Sequence, residues 1–208
     1  TGEMNQVRLK PNIMTKDELI EFEEEIGKLF SDGVIKAPVH LSDGNEDQLI
    51  EIFKNVKRDD WIFSTHRSHY HALLHGIDSQ KVRDEIVGGN SITMCFPEHK
   101  FYSSAIVGGN TPIALGVAMG LKRGKRPERV WAFVGDMAAE GGIFHECVKY
   151  AARNDLPVTF VVEDNGISTN TPTKKAWGEG TAQAPVIYYE HKKEKYPHYG
   201  SGKWVTFS

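Results

Sequence analysis

Residues 130–169 read VWAFVGDMAAEGGIFHECVKYAARNDLPVTFVVEDNGIST. The apolar run over residues 130–134 stops at Gly135-Asp136. A helical pattern follows, with Phe144, Cys147, Val148 and Ala151 spaced by three and four residues. Pro157 closes the next turn, and the β-branched run PVTFVV over residues 157–162 suits a buried parallel strand. The order is strand, turn, helix, strand, with Asp136 after the first strand and Asp164-Asn165 after the second. Parallel strands end at one edge of their sheet, and that edge is where open α/β sheets bind ligands. The alternation predicts an α/β fold with a mainly parallel sheet flanked by helices.

A chain of 208 residues fits one domain with a full core. Hydrophobic content of 39% and charged content of 25% are ordinary for a soluble globular protein. A formal net charge of -3 removes the electrostatic case for nucleic acid or an anionic membrane as partner. No apolar run approaches the roughly 18 residues that span a bilayer, and the N-terminal residues lack the apolar core of a signal peptide. Cys95 and Cys147 are the two cysteines, a usage that fits a reducing cytoplasm and structural thiols.

Read from the start, residues 1–14 are polar and are expected to form a loose arm. Thr15 and Glu18 match a capping box, and Leu19, Ile20, Phe22, Ile26, Leu29 and Phe30 give a helix face that ends near Asp32-Gly33. The turn-rich HLSDGNE at residues 40–46 leads into a helix expected over 46–56, and WIF at 61–63 reads as a short strand. STHRSHYH at 64–71 runs into a helical segment reaching Gly76. A helix over 79–87 ends at Gly88-Gly89, and residues 90–104 read as irregular loop. IVGGN at 106–110 opens a helix over 112–121 whose Ala114, Gly116, Ala118 and Gly120 favour close packing. Residues 123–129 form a basic, solvated turn, and 170–185 a long polar loop. VIYY at 186–189 reads as an edge strand, followed by a Lys/Tyr-rich tail. The expected organisation is an arm at 1–14, one α/β domain at 15–190 and a tail at 191–208.

Asp136 and Asn165 are hard oxygen donors at the ends of successive strands, the chemistry of an octahedral Mg²⁺ site completed by carbonyls and phosphate oxygens. The amides at residues 137–142 open a helix, which suits a diphosphate, and Arg67 is a natural bidentate phosphate clamp. Taken alone, the same pair reads equally as a helix cap and a turn residue. His71 and His75 stand at an i, i+4 spacing that suits Zn²⁺, without a further ligand cluster beside them.

Gly135-Asp136 followed, one αβ unit later, by Asp164-Asn165 resembles the thiamine-diphosphate motif, which begins Gly-Asp-Gly and ends Asn-Asn or a close variant. HLSDGNE at 40–46, His66-Arg67-Ser68-His69, Phe101-Tyr102 with Ile106-Val107-Gly108, and Phe144-His145-Glu146 stand in a family order. It is that of the α subunits of thiamine-diphosphate-dependent 2-oxo acid dehydrogenases, the E1 component. The resemblance covers about residues 15–170. It implies a thiamine-diphosphate-binding fold, the diphosphate-binding module, with thiamine diphosphate and Mg²⁺ as cofactors.

By that resemblance Asp136 and Asn165 are side-chain Mg²⁺ ligands and Ile167 a main-chain ligand. Arg67 matches the diphosphate-binding arginine, with His66 where a tyrosine is usual. Val107 and Ala105 face the aminopyrimidine side with their backbone, and Gly135, Met137 and Ala138 approach the diphosphate. His69 stands where the family has a histidine near the reacting end, which leaves a catalytic, substrate-side role and a structural hydrogen bond as its two readings. His145 and Glu146 read as packing or subunit contacts, and Glu46 as part of the loop motif rather than the cofactor-activating glutamate. Three departures stand out: Met137 for the usual third glycine, Thr93 in Ser91-Ile92-Thr93 where Ser-Met-His is usual, and a sequence shorter than a typical α subunit.

The implied function is an α subunit that acts on a 2-oxo acid by decarboxylation with acyl or aldehyde transfer. It would be active only with a pyrimidine-binding β chain in an α2β2-like assembly, or form a homodimer when isolated. Two alternatives are the N-terminal half of a split transketolase-like enzyme and a non-catalytic relative that kept the fold.

Overall fold

In the computed structural model, which describes residues 14–178 and 186–207, the first helix begins where its sequence signals place it. The expected arm at 1–14 lies outside the described residues except for Met14, as do residues 179–185 of the long polar loop and Ser208. Helix α1 spans Lys16–Ser31. The Glu18 amide donates to Thr15 Oγ1 at 3.3 Å and the Thr15 amide to Glu18 Oε2 at 2.7 Å, completing the capping box. Such a cap contributes about 1 kcal/mol. Leu19, Phe22, Ile26 and Phe30 are buried on one face, as their spacing requires.

Helix α2 covers Glu46–Phe53, three residues short of the expected end. Strand β1 is Trp61–Ser64, helix α3 His69–Leu74 and helix α4 Ser79–Glu85, followed by a π turn at Ile86–Asn90. Residues 90–104 are more regular than the loop expected there. They hold strands β2, Cys95–Phe96, and β3, Phe101–Ser103. β3 pairs in parallel with β1, so main-chain hydrogen bonds to a distant strand order a segment with little local periodicity. Helix α5 spans Asn110–Arg123, strand β4 Val130–Gly135, helix α6 Asp136–Ala139, helix α7 Gly142–Arg153 and strand β5 Val158–Asp164. After β5 comes a hairpin of β6, Ile167–Ser168, and β7, Thr171–Pro172; β7 and helix α8, Thr173–Trp177, fall within the described part of the loop expected at 170–185. Strand β8, Val186–Glu190, closes the sheet at its edge.

The strands stand in the order β2-β3-β1-β4-β5-β8, all parallel except β2. Residues alternate between two cores. Ile62, Trp131, Phe133 and Val161 join the core beneath α1–α4, whereas Phe63, Ala132, Val134, Phe160 and Val162 join the one beneath α5 and α7. The result is a three-layer α/β sandwich. Ala114 and Ala118 seat α5 on the sheet, but Gly116 and Gly120 are exposed, with open space where a Cβ would stand. The close packing expected of that stripe is therefore made by its two alanines alone within this chain.

The chain runs from β1 to β3 on one side and returns to β4 on the other. Connections diverge there onto opposite faces, which leaves a crevice at the carboxyl ends of β1 and β4. Residues 191–207 carry no helix or strand and run back over α1 and the 40–46 loop. Lys193 Nζ lies 2.7 Å from Asp43, whose carboxylate also accepts the Glu194 and Lys195 amides at 2.7 Å each. Gly44 has φ +78, and a Cβ there would sit 1.9 Å from the Lys192 carbonyl oxygen, so only glycine fits between loop and tail. No helix among the described residues is long and apolar enough to cross a membrane.

Candidate functional site

The crevice between β1 and β4 is the mouth of a cavity with three walls. One is the chain leaving β1, Ser64 to Arg67. The Arg67 amide donates to Thr65 Oγ1 at 3.2 Å, and its Nη2 donates to the His198 carbonyl at 3.0 Å. Arg67 Nε is buried and has no hydrogen-bond partner among the described residues. Burial lowers the guanidinium's affinity for its proton, and the carboxylates of Glu163, Asp43, Glu23 and Asp136 oppose that, so the group remains a cation. A buried cation with an unspent donor at a cavity wall is suited to an anion.

The second wall is Gly135 to Ala138 with Asn165 and Ile167. A Cβ on Gly135 would meet only open space, so the backbone itself borders the cavity. The Asp136 carboxylate is buried and accepts the Thr173 hydroxyl. Burial raises its pKa; Thr173 opposes the shift and the neighbouring Asp164 carboxylate adds to it. Asp164 Oδ1 accepts the Gly166 amide at 2.7 Å and Asn165 Oδ1 the Ile167 amide at 3.1 Å. Gly166, at φ +77, makes the turn that keeps Asn165 and Ile167 on the wall. Two neighbouring carboxylates, an amide oxygen and a main-chain carbonyl form a hard-oxygen donor set, and its chemistry fits Mg²⁺. Met137 turns its thioether to Trp177, whose Nε1 donates to Sδ at 3.1 Å.

The third wall comes from the loop before α5. Ser104, Ile106, Val107 and Gly108 line it; Ala105, expected beside Val107, is exposed and stands outside the lining. Asn110 ties this wall to β1 by donating to the Ser64 carbonyl.

Beneath the cavity lies a polar network. His71 Nδ1 is 2.9 Å from Ser64 Oγ, and His71 Nε2 is 3.2 Å from Glu163 Oε1. Asn45 Nδ2 and Tyr189 OH donate to the same carboxylate oxygen at 3.3 and 2.5 Å. Burial opposes ionisation of Glu163, yet His71 and Tyr189 hold it below the usual carboxylate range. His75 Nε2 instead pairs with the His99 carbonyl at 2.9 Å, so the i, i+4 histidines serve separate partners and form no zinc pair.

Of the predicted residues, His66, Arg67, Val107, Gly135, Asp136, Met137, Ala138, Asn165 and Ile167 all border this one cavity. His69 does not. It is fully buried, with Nδ1 2.9 Å from Glu23 Oε2 and Nε2 2.9 Å from Ser91 Oγ. The structural hydrogen bond, not the substrate-side role, is what its placement supports. His145 and Glu146 are exposed on α7.

Sequence reading missed four groups. Glu163 carries a signal in hindsight, a carboxylate inside an apolar strand. Asn45 sits in the quoted loop motif, whereas Thr173 and His198 reach their places only through the chain's path. His40, heading the same motif, meets His66 and His198 with ring centroids 4.5 and 4.9 Å away.

The sequence matches the family described as dehydrogenase E1 component over residues 14–187. It is 33% identical over 169 residues to the alpha subunit of acetoin:2,6-dichlorophenolindophenol oxidoreductase from Bacillus subtilis, covering 76% of this chain and 51% of that protein. It is 32% identical over 166 residues to the pyruvate dehydrogenase E1 component subunit alpha of Zymomonas mobilis, with 74% and 47% covered. Against the chloroplastic subunit alpha-3 of pyruvate dehydrogenase E1 from Arabidopsis thaliana the identity is 31% over 202 residues, with 82% and 47% covered. The chain spans about half the length of these curated relatives.

Proposed function

The chain belongs to the alpha-subunit family of thiamine-diphosphate-dependent 2-oxo acid dehydrogenase E1 components, and from that premise we propose that it is a diphosphate- and Mg²⁺-binding subunit. The observation that carries the reading is one cavity bounded by Arg67 on one side and by Asp136, Asn165 and Ile167 on the other.

In this reading the Asp136 carboxylate, the Asn165 amide oxygen and the Ile167 carbonyl hold Mg²⁺. Arg67 pairs with the diphosphate, His66 stands beside it, and the backbone at Gly135, Met137 and Ala138 borders it closely. Met137 replaces a glycine of the motif, and the Trp177 hydrogen bond accounts for how its side chain is held. The bound cofactor supplies the ylid and electron sink, and the chain supplies position and charge. Burial raises the pKa of Asp136, and a cation at its oxygens would oppose that shift. The polar network under the cavity keeps β1, β5 and the 40–46 loop in register, so that Arg67 and Asn165 stay opposed.

The substrate is a 2-oxo acid, decarboxylated with acyl or aldehyde transfer. The pyrimidine-binding half and its activating glutamate come from a β chain in an α2β2-like assembly. A cytoplasmic location agrees with two free cysteines, Cys95 exposed and Cys147 buried.

Calorimetry of the purified chain with thiamine diphosphate, with and without Mg²⁺ and a candidate β chain, tests the reading. Binding that needs Mg²⁺ and tightens with the β chain is the expected result; no binding in any arm overturns it. The reconstituted pair is then assayed with pyruvate and related 2-oxo acids, using 2,6-dichlorophenolindophenol as electron acceptor. Turnover of sugar phosphates instead would identify a split transketolase-like enzyme, and tight cofactor binding without turnover a non-catalytic relative.

A further inference from the structure

We propose that His40, His66 and His198 form a binding site for one borderline transition-metal cation of the Zn²⁺ class, built on a donor set different from the oxygen ligands around Asp136. Their ligand nitrogens lie within 4.8 Å of one another, and no other group of three or more His, Cys, Asp or Glu among the described residues is so arranged. The three histidines come from three separate segments: the 40–46 loop, the turn after β1, and the 191–207 tail.

The hydrogen bonding prepares two of the rings as ligands. His40 Nδ1 lies 2.7 Å from the His198 carbonyl, which can only accept, so Nδ1 carries the proton and Nε2 keeps its lone pair. A backbone carbonyl fixing the tautomer in this way is the usual outer partner of a metal-ligating histidine. His66 Nε2 is buried without a hydrogen-bond partner among the described residues. A metal ion would satisfy that nitrogen. Burial, helped by Arg67, pushes His66 down to about 3 and His40 to about 4, so neither ring is protonated at neutral pH.

The donor type selects the metal. Imidazole nitrogen favours Zn²⁺, Cu²⁺ or Ni²⁺, whereas Mg²⁺ prefers oxygen, so the two donor sets would sort different ions. Tetrahedral coordination at about 2.0–2.1 Å puts ligand nitrogens about 3.4 Å apart, inside the 4.8 Å within which the three nitrogens stand. The His198 carbonyl, accepting from both Arg67 and His40, holds the tail against the other two rings. His66 and His198 both border the cavity, so three nitrogens leave a coordination position for water or substrate, the pattern of metal sites that act on ligands. Arg67 and Lys193 oppose a dication here, and the carboxylates of Glu163, Asp43 and Glu23 offset them.

The test is Zn²⁺ binding by the full chain after treatment with chelator, read by competition with a chromophoric chelator. One equivalent is expected, with affinity falling on the order of 100-fold in His66→Ala and in His198→Ala. Asp136→Asn and His145→Ala, the latter on the exposed face of α7, should retain it. Zn²⁺ should raise the melting temperature of the wild type and not of His198→Ala, which also shows that this variant folds. X-ray absorption should find three imidazole nitrogens at about 2.0–2.1 Å. Wild-type affinity in both histidine variants would overturn the proposal. So would thermal stabilisation by inorganic phosphate alone that is lost in His198→Ala, which would make the cluster part of an anion subsite. None of these readings uses thiamine diphosphate or turnover, so their failure would leave the cofactor reading untouched.

Discussion

His66 and His69 lie three residues apart and end in opposite circumstances. His69 enters α3 facing inward and meets Glu23 and Ser91 in a region closed to solvent, with both ring nitrogens satisfied. Glu23 is further tied to the Ser42 amide at 2.9 Å, so the ring belongs to a seam joining α1, α3 and the 40–46 loop. His66 stops short of the helix, at the switch point of the sheet, and keeps a buried nitrogen with no partner among the described residues. A satisfied polar group contributes to stability, whereas an unsatisfied one at a cavity wall costs stability and gains by binding. The contrast divides the site motif into a structural half and a ligand half.

Substitutions at four positions break or sharpen that division. The largest effect belongs to the closed seam: His69→Ala should cost about 3 kcal/mol in urea unfolding, because it strips a buried carboxylate of a partner. His66→Ala should cost under about 1 kcal/mol; the reverse order would break the comparison. Next, Arg67→Gln should weaken thiamine diphosphate binding in the presence of Mg²⁺ by about 100-fold, measured by calorimetry, while His69→Gln variants that fold change it little.

Asp136→Asn separates the two currencies of stability and binding. The folded pKa of Asp136 is raised, so the stability it contributes is present at low pH and lost as pH rises through the window above the unfolded value. The asparagine variant should therefore melt at a higher temperature than the wild type at pH 7 without ligand and lose Mg²⁺-dependent cofactor binding. The last effect is the pH slope of the open cluster. His40, His66 and His198 have lowered pKa values, so the unfolded chain binds more protons and stability falls as pH drops below about 6.5. His66→Gln should flatten that loss by about 1 kcal/mol between pH 6.5 and 5, measured by thermal melts; an unchanged slope would show that the ring is not held neutral.

The helices and central strands were legible because their periods are local. Capping at Thr15, the spacing of Leu19, Phe22 and Ile26, and the apolar runs ending at Gly135 and Asp164 each report on a few neighbouring residues. Strands β2 and β3 were not legible, since two or three residues carry no period and β3 is ordered by its pairing with β1. Ala105 illustrates a similar limit. Which residues of a loop face a cavity depends on backbone dihedrals, and here Ser104 and Ile106 face it instead.

By itself the sequence determined the α/β alternation, the positions of Asp136 and Asn165 at strand ends, and the motif order that marks the family. These follow from periodicity and chemistry within short windows. Only the tertiary structure decided that β1 lies between β3 and β4, because strand order is set by crossovers that leave no mark on local sequence. It also decided that His69 is sealed and His66 open, and that His198 arrives from a tail 132 residues beyond His66. Burial is a property of what packs around a residue, and for these histidines the surroundings come from distant parts of the chain.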